Sequence, residues 1–164
     1  MMRTLFLKAS SMLVFALTVA YSPAQADGTP QCNDSVGFVG GTECGTDSVA
    51  VDNATAVGNT AVAGGDGSVA VGMMSTANGF VAIAIGQAAL APTDNSVAIG
   101  FLANSIGIGS NATGAGAQAV GENSIGTGIN SSAAGLGSIA IGANSSATLD
   151  GNIAVGNGAQ ATGI

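Results

Sequence analysis

Ser96-Val97-Ala98-Ile99-Gly100 decides the fold, because close variants of it return along the chain at one fixed step. Ser68-Val69-Ala70-Val71-Gly72, Ala82-Ile83-Ala84-Ile85-Gly86, Ser138-Ile139-Ala140-Ile141-Gly142 and Asn152-Ile153-Ala154-Val155-Gly156 are its clearest copies. The closing glycines Gly58, Gly72, Gly86, Gly100, Gly114, Gly128, Gly142 and Gly156 follow one another at a constant step of fourteen, without an insertion. So strict a period signals a solenoid, in which each unit buries its apolar residues only by stacking on its neighbours.

Each unit holds two short segments that alternate with period 2, which calls for strands and not helices. The first is the pentapeptide above. The second has the form Ala-x-Ala-x-Gly, as in Ala61-Val62-Ala63-Gly64-Gly65, Ala103-Asn104-Ser105-Ile106-Gly107 and Ala117-Gln118-Ala119-Val120-Gly121. Glycine therefore recurs about every seven residues, with Thr93 and Leu149 in place of the second-strand glycine in two units, where the backbone must turn and a residue without Cβ is favoured. In the second strand the Ala/Ser positions stay small while Asn104, Gln118, Thr76 and Leu90 vary, which predicts the small row inside and the variable row in solvent. In the first strand we expect Val97 and Ile99, with their equivalents, to point inward against the small row, since large against small fills a narrow coil. The opposite assignment would leave a long apolar stripe outside, and that too demands a partner. Both favour oligomerisation.

Composition narrows the class further. Residues 1–26 read as a secretory signal peptide: Arg3 and Lys8, an apolar run from about Met12 to Ala20, then Ala24-Gln25-Ala26. The run is shorter than the roughly 20 residues a membrane-spanning helix needs. Arg3 and Lys8 are also the only basic residues of the chain, so the processed protein would keep all nine acids with no Lys, Arg or His. Nucleic acid and other polyanions need cations to replace counterions, and are excluded as partners. An enzyme is disfavoured, because scattered carboxylates on a solenoid surface lack the cleft that would tune them for acid or base work. No cofactor is expected. Gly64-Gly65-Asp66-Gly67 is similar to a calcium-binding nonapeptide turn but occurs once, whereas that motif repeats.

Residues 27–47 lack the repeat and form a predicted N-terminal cap. Cys32 and Cys44 are the only cysteines, and an oxidising destination makes a bridge between them the simplest reading. Closing such a loop is worth roughly 3 kcal/mol in the chain-entropy model. A zinc or redox site is the alternative, disfavoured because there is no His and no further Cys. The repeat region spans 48–164 and opens out of phase at Ser48-Val49-Ala50-Val51-Asp52, a ragged first turn. Midway, Asn111, Thr113 and Thr127 replace Val/Ile, which predicts weakened packing there in preference to a contact site.

The motif from Ser96 through Gly100 and Ala103 to Gly107, repeated in an exported acidic chain, resembles the head repeats of trimeric autotransporter adhesins, the YadA-like family. The resemblance covers residues 48–164. It implies a left-handed parallel β-roll, three chains side by side as a homotrimer, and a cell-surface or extracellular bacterial head that attaches to host or extracellular-matrix surfaces. Members of that family continue into a stalk and a membrane anchor, whereas this sequence stops in mid-repeat at Ile164 with no membrane anchor of its own, which suggests either a head fragment or a head held by another partner. Ligand-binding residues are not identifiable from the repeat. A secreted fibre-forming, amyloid-like protein is the alternative, because Val/Ile strands in a nearly uncharged stackable coil invite end-to-end pairing. An ice-binding solenoid would need a regular rank of Thr, and Thr76, Thr93, Thr113, Thr127, Thr148 and Thr162 occupy different repeat positions.

Overall fold

The computed structural model describes residues 32–34 and 40–163. The expected signal peptide and Ile164 lie outside the described residues, as do residues 27–31 and 35–39 of the expected cap. Among the described residues nineteen strands form two sheets. The first sheet takes β1 (Cys32–Asp34), β2 (Thr42–Cys44), β4 (Thr55–Val57), β6 (Val69–Val71), β8 (Ile83–Ile85), β10 (Val97–Ile99), β12 (Asn111–Thr113), β14 (Ile125–Thr127), β16 (Ile139–Ile141) and β18 (Ile153–Val155) in that order. The second takes β3 (Val49–Ala50), β5 (Val62–Ala63), β7 (Thr76–Ala77), β9 (Leu90–Ala91), β11 (Asn104–Ser105), β13 (Gln118–Ala119), β15 (Ser132–Ala133), β17 (Ser146–Ala147) and β19 (Gln160–Ala161). The fold is a parallel β-solenoid: Val97 pairs with Ile83 in the coil before it and with Asn111 in the coil after it. Each coil crosses once from the first sheet to the second and back.

Every coil is tied to the next by backbone hydrogen bonds that continue through the turns. Gly100 N–H donates to Ile85 O at 2.7 Å, Leu102 N–H to Gln87 O at 3.0 Å and Asn95 N–H to Phe80 O at 2.9 Å. The ladder thus satisfies turn amides that would otherwise need water.

The interior contradicts one expectation. In the first strand it is the middle alanine that points inward: Ala70, Ala84, Ala98 and Ala140 are fully buried, while Ile85, Ile99 and Ile141 are exposed. The expected inward Val97 and Ile99 therefore face outward. The second strand follows the expectation, with Ala61, Ala63, Ala77, Ala103, Ala117 and Ala119 inside. Both sheets turn their small rows toward each other, and the largest side chains wholly buried are serines. At Gly126, which stands where other coils have Ala, an added Cβ would fall 2.4 Å from Gln118 O. A gap lined by Cβ atoms on both sides has no volume for Val or Ile, and overfilling a packed core forces backbone shifts. Small residues alone bury little per coil, about 0.8 kcal/mol per methylene-sized group, so stability accumulates along the stack.

Serines complete the lining. Ser48, Ser75, Ser110 and Ser145 each donate Oγ–H to the carbonyl three residues back, at 2.6–3.0 Å, bracing the turn. Ser105 and Ser110 also share a hydroxyl hydrogen bond of 2.6 Å.

Candidate interaction surface

With the interior closed, chemistry can reside only on the outward faces and the two turn edges. The outer face of the first sheet carries two rows. One reads Thr55, Val69, Ile83, Val97, Asn111, Ile125, Ile139, Ile153, and the other Val57, Val71, Ile85, Ile99, Thr113, Thr127, Ile141, Val155. None of these sixteen residues is charged. Ile85, Ile99, Ile125 and Ile141 are 37–41 % exposed in the isolated chain, rising to 62 % at Ile153 and 65 % at Val155. A contiguous apolar stripe of this kind is unusual on a monomeric protein and marks a surface that another surface covers.

Asn111, Thr113 and Thr127 all lie on that face. They do not weaken the interior, because the row they interrupt is outside. Beneath them the interior position is still small, occupied by Ala112 and Gly126. The weakened packing expected in these coils thus has no basis in them: they change what the face presents.

The outer face of the second sheet is mixed. Its central row runs Val49, Val62, Thr76, Leu90, Asn104, Gln118, Ser132, Ser146, Gln160, apolar toward the N-terminal end and polar toward the other.

The edges hold a pattern that a reading of single coils missed. From Asn59 to Ala143 the residue after the glycine following the first strand alternates, as Asn59, Met73, Gln87, Phe101, Ala115, Ile129, Ala143, and Asn157 in the last coil does not continue the pattern. The opposite edge alternates in step: Asp66, Phe80, Asp94, Ile108, Glu122, Leu136, Asp150. Coils with a bulky residue at both turns therefore alternate with coils that are small or polar at one and acidic at the other. Coils are only about 4.8 Å apart, so a large turn side chain needs a less bulky neighbour to lie over. The acids are also fastened to their neighbours: Phe80 N–H donates to Asp94 Oδ1 at 2.9 Å, Leu136 N–H to Asp150 Oδ1 at 2.8 Å, and Asn53 Nδ2 to Asp66 Oδ1 at 3.0 Å. The signal was present in the sequence as a two-coil superperiod in residue size.

The eight phased glycines all occupy the edge after the first strand, with φ between +127° and +136°. At Gly100 an added Cβ would lie 2.5 Å from Gly114 O, so conformation and space both require glycine there. Two residues on, the chain enters the left-handed region, where Asn130 and Asn144 sit comfortably but Leu102 and Met74 also do so.

At the N-terminal end Cys32 and Cys44 are joined by a disulfide with their Cα atoms 4.2 Å apart. The bridge lies within the antiparallel pair β1–β2, which covers the edge of the first sheet. β2 itself pairs in parallel with β4, Thr42 opposite Thr55, so the stack already includes residues assigned above to the cap. Val49–Ala50 pairs with Val62–Ala63, which puts Ser48-Val49-Ala50-Val51-Asp52 in the second sheet despite its likeness to a first strand. The apparent phase slip is a single coil, from Gly45 to Gly58, that is one position shorter than the rest, and Gly45 shares the turn conformation at φ +139°. Glu43 takes the place of the inward alanine at this end, opposite Ala56. Its Oε1 accepts the Ala50 N–H at 2.8 Å, satisfying an amide on β3, the end strand of the second sheet among the described residues.

Among the described residues no group of three His, Cys, Asp or Glu is placed to hold a metal ion. No helix among them is long and apolar enough to cross a membrane. The arrangement defines a class: a parallel β-solenoid whose outer surface, and not its interior, carries the large apolar side chains. The family model of the YadA head domain repeat matches the chain in two copies, over residues 52–73, 77–103 and 119–145. The matched segments are YadA head domain repeats. Two of the matched segments span close to two coils each, the length of the superperiod seen on the edges. No curated protein matches the sequence.

Proposed function

We propose that the chain is the non-enzymatic head of a bacterial surface adhesin, working as a homotrimer of left-handed rolls. The observation that carries this is the charge-free Val/Ile stripe along the first sheet, in a chain built of YadA head repeats. Three chains that bring these faces together bury the stripe. The second sheet and the turn edges then stay outward, where they meet host or extracellular-matrix surfaces. Export through residues 1–26 delivers the chain to an oxidising compartment, and the Cys32–Cys44 bridge caps the first coil.

The test is made on the exported chain with its disulfide intact. Sedimentation equilibrium is expected to give three times the chain mass, and the trimer is expected to bind immobilised matrix proteins or host cells saturably. A monomer at micromolar concentration would refute the assembly, and a trimer that binds no such surface would refute the adhesive role. Dye-binding fibres without a discrete trimer would support the fibre-forming alternative.

A further inference from the structure

A stripe that repeats every coil has a registration problem. Two copies meeting along Val/Ile rows could slide by one coil, about 4.8 Å, and meet equivalent side chains again, losing contact only at the ends. Between Val69 and Val155 the stripe is broken only over two successive coils, those of β12 and β14. Asn111 stands between Val97 and Ile125 in one row, while Thr113 and Thr127 stand between Ile99 and Ile141 in the other. Thr113 Oγ–H donates to Asn111 Oδ1 at 2.8 Å, so the two form one polar unit on β12. Both are only partly exposed, within a surface that is otherwise aliphatic on either side.

We propose that Asn111, Thr113 and Thr127 are the register mark of self-association, and that they admit only a parallel copy at the same height. The inference rests on the reading that copies meet on this face. A copy displaced by one coil would lay the Asn111 amide on Val97 or Ile125 of its neighbour, removing water from a polar group without replacing its hydrogen bonds. An antiparallel copy centred on Asn111 would set Thr127 of β14 against β10, where Val97 and Ile99 stand. One centred between β12 and β14 would lay the coil of Asn111 and Thr113 on that of Ile125 and Thr127, which carries one polar residue on this face in place of two, so only the parallel in-register arrangement sets each polar coil against the same coil of its copy. Single polar residues within an apolar seam fix register in other assemblies by the same cost.

The experiment uses two tagged versions of the full chain, Ile99→Cys and Ile85→Cys, co-expressed and treated with a short bifunctional thiol reagent. With Cys32 and Cys44 already bonded, the introduced thiols are the reactive ones. The expected result is Ile99–Ile99 and Ile85–Ile85 cross-linking with no mixed product. The same pairs are then made in N111V/T113I/T127I, substitutions that copy residue types other coils already carry at these positions. Mixed cross-links are expected to emerge there at a yield approaching the matched ones, with trimer mass unchanged. Trimers that give mixed products in the unsubstituted chain, none in the triple variant, or no cross-link at all, would overturn the register proposal alone. A chain that stays monomeric would overturn the trimeric reading, and this inference with it.

Discussion

The two faces of one strand make the most instructive contrast in the molecule. Ala98 and Ile99 are consecutive, yet Ala98 is fully buried while Ile99 is exposed, in a chain where the usual association of size with burial is inverted. In an ordinary sandwich large side chains fill the space between sheets about 10 Å apart. Here every short coil must reverse direction twice, and the turns hold the sheets so close that only Cβ and Oγ atoms fit. Hydrophobic surface that finds no volume inside is displaced to the outer face, where it is free to bind another chain.

The contrast can be broken from either side, and the turn glycine should break it most severely. Gly100→Ala places a Cβ 2.5 Å from Gly114 O at a φ of +136°, and we expect a loss of about 4 kcal/mol in urea unfolding. Retention of wild-type stability would mean the coil can open at its edge. Next, Ala98→Leu overfills the interior between Ala84 and Ala112 and is expected to cost about 3 kcal/mol by the same measurement. A neutral outcome would show that the sheets can separate.

Smaller effects test the surface. Asp94→Ala removes the acceptor of the Phe80 amide, and a loss of about 1 kcal/mol is expected, together with faster exchange of the Phe80 N–H. Asp94→Asn, which keeps the Oδ1 acceptor, should recover most of it. Least affected is the folded coil of Ile99→Ser, with a change within about 0.5 kcal/mol for the dissociated chain, because the side chain already faces solvent there. Its sedimentation should nevertheless shift toward monomer. A large loss of monomer stability from Ile99→Ser would contradict the inside-out arrangement directly.

The turn edges extend the lesson. The glycine ladder was legible because every coil needs a glycine after its first strand, so the period survives all other variation. The alternation of Phe80, Asp94, Ile108 and Glu122 was equally present in the sequence but becomes meaningful only once residues one coil apart are seen to be stacked neighbours. At the N-terminal end, the shortened first coil concealed Thr42–Cys44 as a strand, since Glu43 stands where the pattern calls for alanine. Its role rests on a hydrogen bond to Ala50 that spans the two sheets, which no local pattern records.

The sequence by itself determined the repeat length, the positions of the turns, the two strands per coil and the inward small row of the second strand. Each follows from backbone geometry acting over a few residues: period 2 makes strands, and glycine marks the sharp reversal. Only the tertiary structure decided which row of Ser96-Val97-Ala98-Ile99-Gly100 lies inside. Alternation separates the two rows but is symmetric between them, and hydrophobicity favours burying the larger. The distance between the sheets, set by turns on both sides of the coil, breaks that symmetry in favour of alanine and leaves Val97 and Ile99 outside.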